Sequence, residues 1–321
     1  MKRFCIKVGT LLLFLALAAV VLEGVITRNL RSSTANLFKS YNDMYSGSLH
    51  CNVLINGHSR GLVQYDTQIL DSILGCDSYN LSVNGRAIDA EIAKYHAYKR
   101  NCGTPKLLIQ NVDFATMHAS KNYEREQYFP YLTMDDSLYA EVRETEDFSW
   151  ADRYIPLLRY SGYVQVVKEG LHIRNKMPHG GLHKGYAPSD ASWDGSMLAN
   201  IKCVGFDTNA ESTANFLRFL QECKADGVEV VFVLAPIYIG VTDRMEDPQA
   251  MFDWYQSIAD RFDYKVLNYT YDHLSYDTAF FYNATHLNRE GATRFSTHLA
   301  EDLKTLHNRG ELAMEWLPRM E

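Results

Sequence analysis

The chain has 321 residues, 46% of them hydrophobic and 22% charged. This is ordinary globular composition with ample material for a core, and it accommodates one large α/β domain with an insertion or two small domains. A formal net charge of −7 excludes nucleic acid as a main partner, since phosphate binding needs a basic footprint and no basic stripe, repeat or low-complexity tract is present.

The first 27 residues stand apart. Lys2, Arg3 and Lys7 precede an apolar run from Val8 to Leu22, and Gly24-Val25-Ile26 extends it beyond Glu23. A basic start followed by a hydrophobic segment is the pattern of an export signal, and the extended run approaches the roughly 20 residues of a spanning helix. The cleavage-type triplet Ala16-Leu17-Ala18 lies inside the run. Residues 1–27 are therefore read as an uncleaved signal anchor, with a cleaved peptide and a soluble exported enzyme as the alternative. The basic residues ahead of the span put the N-terminus in the cytoplasm and the bulk of the chain outside.

Six cysteines are present. With Cys5 at the membrane, Cys51, Cys76, Cys102, Cys203 and Cys223 remain, an odd and scattered set without CxxC spacing. That is neither a disulfide framework nor a zinc site, although one bridge stays open for an exported domain.

Residues 28–49 read as a polar tether, and the domain proper as residues 50–321. Cys51 to Asn56 is a short apolar run stopped by Gly57, which predicts a buried strand and a turn. Ile69, Leu70, Ile73 and Leu74 predict a helix ended by Gly75. Ser78 to Val83 is a second strand, closed by Asn84-Gly85. A helix follows over 88–100, and Pro105 opens a third strand over 107–112. From about 114 to 207 the alternation lapses into a Tyr-, Asp-, Gly- and His-rich stretch, read as an insertion or lid; long irregular connections of this kind are often functional. Order returns with a helix over 211–225, a strongly apolar strand over 228–234, a helix over 249–262 and a strand over 264–268. The last helix carries Ala292, Phe295, Leu299 and Leu303 at helical spacing. Strand and helix in alternation imply parallel strands with right-handed crossovers and helices on both faces.

In such sheets ligands bind at the carboxyl ends of the strands, so the residues just past each strand become the candidates. After the first comes Gly57-His58-Ser59-Arg60, where a serine on a sharp turn is placed as a nucleophile. After the second comes Gly85, which lets backbone N–H groups approach a substrate. After the third come Asn111 and Asp113. Before the last helix come Asn283 and His286; a histidine there serves as general base at neutral pH. Ser59, Gly85, Asn111 and His286 thus supply a nucleophile, oxyanion donors and a base on one rim. His172, His179 and His183 are too loosely spaced for a metal site, and none is expected.

This order resembles the SGNH (GDSL-like) hydrolase superfamily, over roughly residues 50–113 and 208–305. Gly57-His58-Ser59 stands in the place of its Gly-Asp-Ser block, Gly85 and Asn111 in its second and third, and Asn283-Ala284-Thr285-His286 in its Asp-x-x-His block. The tail His286-Leu287-Asn288-Arg289-Glu290-Gly291-Ala292, with Val233-Leu234-Ala235-Pro236, is most similar to the membrane-anchored DltD- and AlgJ-like branch of bacterial envelopes. The resemblance implies a three-layer α/β/α fold with a mostly parallel five-stranded, flavodoxin-like sheet and no cofactor. It implies an esterase or O-acyltransferase acting on an acylated envelope glycan, with Ser59 as nucleophile, His286 as base, and Ser59, Gly85 and Asn111 as oxyanion donors. Two departures stand out: His58 where the family has Asp, and Asn283 where it has the triad aspartate. An Asp-to-Asn change in a serine triad costs about 10⁴ in turnover. Asp272 and Asp277 on the preceding loop are carboxylates that would substitute for it, a backbone carbonyl would serve as well, and a catalytically silent glycan-binding or scaffold protein is the alternative function.

Overall fold

The computed structural model describes residues 1–85, 88–117, 124–196, 198, 201 and 205–314. In chain order its elements are α1 (Lys2–Leu30), α2 (Asn36–Tyr45), β1 (Val53–Asn56), α3 (Ser59–Gln64), α4 (Thr67–Leu74), β2 (Ser78–Asn80), α5 (Ile88–Cys102) and β3 (Leu107–Asn111). Then come α6 (Asp136–Val142), α7 (Trp150–Tyr154), α8 (Val164–Gly170), α9 (Ala210–Ala225), β4 (Glu229–Leu234), α10 (Ile239–Thr242), α11 (Pro248–Phe262), β5 (Lys265–Asn268), β6 (Phe281–Asn283), β7 (His286–Leu287) and α12 (Arg289–Asn308).

The chain forms two compact units. One, the sheet unit, comprises Gly47–Tyr123 and Gly181–Glu321; the other, the helical unit, comprises Met1–Ser46 and Glu124–Gly180.

In the sheet unit five strands run in the order β2-β1-β3-β4-β5, all parallel. The strands are short and apolar because both faces are covered, and successive side chains face opposite layers. Val53, Ile55, Leu107, Ile109, Val231 and Val233 share one buried core with Leu70 and Leu74 of α4 and Phe295, Leu299 and Leu303 of α12. Each such side chain contributes about 1.5–3 kcal/mol on burial. The opposite face packs on α5, α9 and α11, where Phe232 meets Phe216 and Tyr255. The expected α/β/α sandwich with a five-stranded flavodoxin-like sheet is therefore present. Strand order reverses between β1 and β3, so the crevice of this fold opens at their carboxyl ends. There the chain places Ser59, Asn111 and Asp113.

The helical unit holds what the sequence presents as a tether and part of what it presents as a lid. Phe38, Tyr41, Met44, Tyr128, Phe129, Tyr131, Leu138, Val142 and Tyr160 are buried together in it, and Tyr45 stacks on Tyr131 at 4.6 Å between ring centroids. Tyrosines at irregular spacing make this core, so no periodic apolar run announces it; aromatic rings bury large areas without helical periodicity. Residues 181–196 belong instead to the sheet unit, where Ala187 N–H donates to Leu62 O and Trp193 N–H to Phe281 O.

Helix α1 is long and apolar enough to cross a membrane, and none of its most apolar stretch is buried. Among the described residues no disulfide joins Cys5, Cys51, Cys76, Cys102 or Cys223; Cys203 lies outside them. Burial pushes the Cys51 and Cys223 thiols up to about 12, which leaves them protonated and inert.

Candidate active site

The site lies within the sheet unit and grows from the turn after β1. Gly57 passes so close to β3 that a Cβ there would meet Asn111 Cβ at 2.7 Å, so only glycine admits the turn. His58 caps α3, its Nδ1 accepting weakly from Arg60 N–H at 3.5 Å. Ser59 is the first residue of α3, a helix packed against both β7 and α12. That packing delivers the serine hydroxyl to the histidine loop: Ser59 Oγ lies 2.9 Å from His286 Nε2.

Gly291 and Asn288 fix that loop from beneath. Asn288 caps α12 by accepting from Gly291 N–H at 3.0 Å and donates to Ala279 O at 2.7 Å. A Cβ on Gly291 would meet Phe280 O at 2.3 Å, which explains glycine in the Asn-x-x-Gly spacing. The Tyr282 ring lies over His286 at 5.4 Å, and burial pushes its phenol up to about 12.

The other ring nitrogen of His286 meets an amide rather than a carboxylate. Asn283 Oδ1 stands 2.9 Å from His286 Nδ1, and Thr285 Oγ1 also stands 2.9 Å from it. The same Asn283 oxygen accepts from Thr285 N–H at 3.0 Å. A backbone donor on that atom marks it as the oxygen. Nδ1 therefore faces an acceptor, and the tautomer with its proton on Nδ1 leaves Nε2 open to the serine hydroxyl. Asp272 and Asp277 are engaged elsewhere: Asp277 accepts from Ala279 N–H, and Asp272 accepts from Leu274 N–H and pairs with His273 and His298.

Asn111 ends β3 and is fully buried. Its Oδ1 accepts from Tyr65 O–H at 2.8 Å, while its Nδ2 has no hydrogen-bond partner among the described residues. A buried amide N–H₂ without an acceptor is costly, which is the state expected of a donor kept for a developing charge. Gly85 follows the second strand with φ +108°, in the left-handed region that favours glycine. The segment leading to it stays registered on the turn that carries Ser59, because Val83 N–H donates to Gly57 O at 2.8 Å. Regular pairing of β2 nevertheless ends at Asn80 rather than at residue 83.

Under Ser59 lies a cluster that the sequence pattern does not reveal. Asp113, buried past the end of β3, takes Arg60 Nε at 2.7 Å and Arg60 Nη2 as well. His58 Nε2 stands 2.6 Å from the same carboxylate, at ion-pair distance but off the angle of a good hydrogen bond. Burial works against the Asp113 carboxylate, but Arg60 and His58, with Ala115 N–H, outweigh it and hold the carboxyl well below the usual range. His58 thus braces the turn from within. The available signal was two basic residues flanking the serine with one acid after the third strand.

The loose histidines serve locally: His183 Nδ1 meets Thr67 Oγ1 at 2.9 Å, and His179 Nε2 meets Glu169 at 3.2 Å. Asp272, His273 and His298 bring one ligand atom each to within 4.8 Å of one another, the residues best placed among those described to hold a metal ion. A surface cavity of about 570 Å³ at the start of α12 is lined by Ser189, Asp190, Arg289 and Arg294 but by neither Ser59 nor His286.

No protein-family model matches the chain, and no curated protein does. Among solved structures, a provisionally named acylhydrolase from Bacteroides fragilis is 9% identical, with 78% of this chain and 86% of that chain covered at a TM-score of 0.37. A protein from Streptococcus pneumoniae, provisionally named a platelet activating factor, is 11% identical, with 92% and 98% covered at a TM-score of 0.43. Both are too distant to bear on chemistry.

Proposed function

We propose that this protein is a membrane-anchored SGNH-like serine esterase or O-acyltransferase whose substrate is an acylated envelope glycan or a related ester. The observation that carries this reading is the relay Ser59 Oγ to His286 Nε2 at 2.9 Å and His286 Nδ1 to Asn283 Oδ1 at 2.9 Å. Its residues come from the ends of distant elements, and hydrogen-bonded nucleophile, base and orienting group are what nucleophilic catalysis requires.

Ser59 Oγ attacks the acyl carbonyl carbon as His286 Nε2 takes the hydroxyl proton. Backbone N–H groups of Ser59 and Gly85 and the free Asn111 amide receive the oxyanion. Collapse expels the alcohol, which takes the proton back from His286. Water or a sugar hydroxyl then releases the acyl group by the same steps in reverse order. No cofactor or metal is needed for this sequence. Helix α1 anchors the chain, and the basic residues in its first turns orient the remainder to the outer side of the membrane.

Replacing Ser59 with Ala tests the reading. Labelling of the wild type by a fluorophosphonate probe is expected, with none in the variant; equal labelling of both sinks the nucleophile assignment. Asn283 favours one other reading, a silent glycan-binding protein. Glycan binding by both proteins, with no labelling of either, would select it.

A further inference from the structure

We propose that residues 150–164 of the helical unit form a membrane-docking face, seated on the bilayer surface beside the point where α1 leaves the membrane. The proposal rests on the reading of α1 as an anchor and concerns only the helical unit.

Outside residues 1–30, nine large apolar side chains are exposed among the described residues, and five of them fall in this one segment: Trp150, Tyr154, Ile155, Leu158 and Val164. Trp150 is 66% exposed and Tyr154 63%. Scattered apolar side chains need no explanation, but five exposed within fifteen residues of chain are a concentration of the kind that marks an interaction surface.

The occupant follows from what the segment holds. Glu23 is the first acidic residue of the chain. Its Oε2 accepts from Leu157 N–H at 2.5 Å, and its Oε1 pairs with Arg159 Nη2 at 2.5 Å. Thr27 Oγ1 meets Tyr160 O–H at 2.8 Å, Asn29 Nδ2 donates to Gly170 O at 2.8 Å, and Gly170 lies against Ile26. The segment is therefore clamped to α1 from Glu23 onward, while residues 3–22 of the helix stay clear.

At about 1.5 Å per residue, residues 4–22 rise roughly 28 Å, close to the roughly 30 Å of bilayer hydrocarbon. If that stretch spans, Glu23 lies at the membrane–water boundary, and the exposed side chains bonded to its level lie there too. Trp and Tyr favour this depth, with rings toward the chains and polar tips toward water. The charges of the segment do not interrupt the face: Arg159 pairs with Glu23, Arg153 with Asp136, and Asp152 closes a capping box with Ser149.

The test uses the unmodified full chain in phosphatidylcholine–phosphatidylglycerol nanodiscs containing a lipid with a diazirine near its headgroup. Photolysis and mass spectrometry should place adducts on α1 and on residues 150–164. Adducts on α1 alone overturn the docking face while leaving the anchor intact. Adducts on neither overturn the anchor and the docking face with it. A second arm keeps Trp150 as the sole tryptophan, with Trp193, Trp254 and Trp316 changed to Phe. Brominated lipid should lower its emission about twofold or more if the ring sits at the membrane–water interface that tryptophan favours. Emission indifferent to bromine but shielded from acrylamide would assign the face to a second protein copy and overturn the proposal.

Discussion

The side-chain oxygen of Asn283 lies 2.9 Å from Nδ1 of His286 and is itself fixed by Thr285 N–H. An asparagine in a triad is damaging when its amide forces the wrong imidazole tautomer. Here the backbone turns the oxygen inward, so the tautomer is kept and only the negative charge is missing. Asn283→Asp should therefore raise kcat on a p-nitrophenyl ester by about tenfold or more, since hydrogen bonds to a charged partner are roughly twice as strong as neutral ones. Asn283→Leu should lower it. Steady-state kinetics of the three proteins decide the matter, and an aspartate variant no faster than the wild type would show that charge at this position is not limiting.

Asn111 offers a cleaner separation of catalysis from folding. Its Nδ2 makes no hydrogen bond among the described residues, so Asn111→Ala removes an unsatisfied donor, although it also frees Tyr65 O–H. The expected loss in kcat is about 10²–10³, the usual cost of one oxyanion donor, with KM changed little. A fall in urea midpoint large enough to match the kinetic loss would instead mark Asn111 as structural.

Asp113 links the site to pH. Its carboxyl is held well below the usual range once Arg60 and His58 outweigh burial. A depressed folded-state pKa contributes stability that is present above the unfolded value of about 3.9 and fades as pH falls. Asp113→Asn leaves the Arg60 guanidinium buried without its partner, at a cost of about 3–5 kcal/mol. Urea titrations should show a gap between wild type and variant that is constant from pH 5 to 8 and narrows below about pH 4. A gap that stays constant into acid would contradict the charge assignment.

Much of the sheet unit was legible because period and punctuation agree there. Val53–Asn56, Leu107–Asn111 and Glu229–Leu234 are short apolar runs closed by turns, and the strand-end rule then places Ser59 and Asn111 at the switch between β1 and β3. The contact of Ser59 with His286 spans 227 residues of sequence; chain order could suggest it but not its geometry. The helical unit was illegible for a different reason. Its core is built from aromatic residues at irregular intervals, such as Tyr41, Tyr128 and Tyr131, and such packing leaves no periodic trace. The Asp113 cluster escaped because a buried ion pair joins residues whose separate types look like surface charges.

Glu91 gives the last prediction. It is fully buried on α5, and its Oε2 accepts from Gln110 Nε2 at 2.9 Å, while Gln110 Oε1 accepts from Asn56 Nδ2 at 3.0 Å. Its other oxygen has no hydrogen-bond partner among the described residues. Burial raises its carboxyl well above the ordinary value, with Gln110 opposing. A raised folded-state pKa means that the native protein holds a proton that the unfolded chain has released above about pH 4.3. The stability from this group is thus complete below that pH and is lost as pH rises, by about 1.4 kcal/mol per unit until the folded carboxyl itself ionises. Glu91→Gln carries no such proton and keeps the acceptor for Gln110. Between pH 5 and 8 the wild type should therefore lose urea resistance relative to Glu91→Gln, and at pH 7 the variant should be more stable by about 1 kcal/mol or more. Parallel curves across that range would mean that Glu91 is ionised in the folded protein and that the Asn56–Gln110–Glu91 chain stabilises its charge.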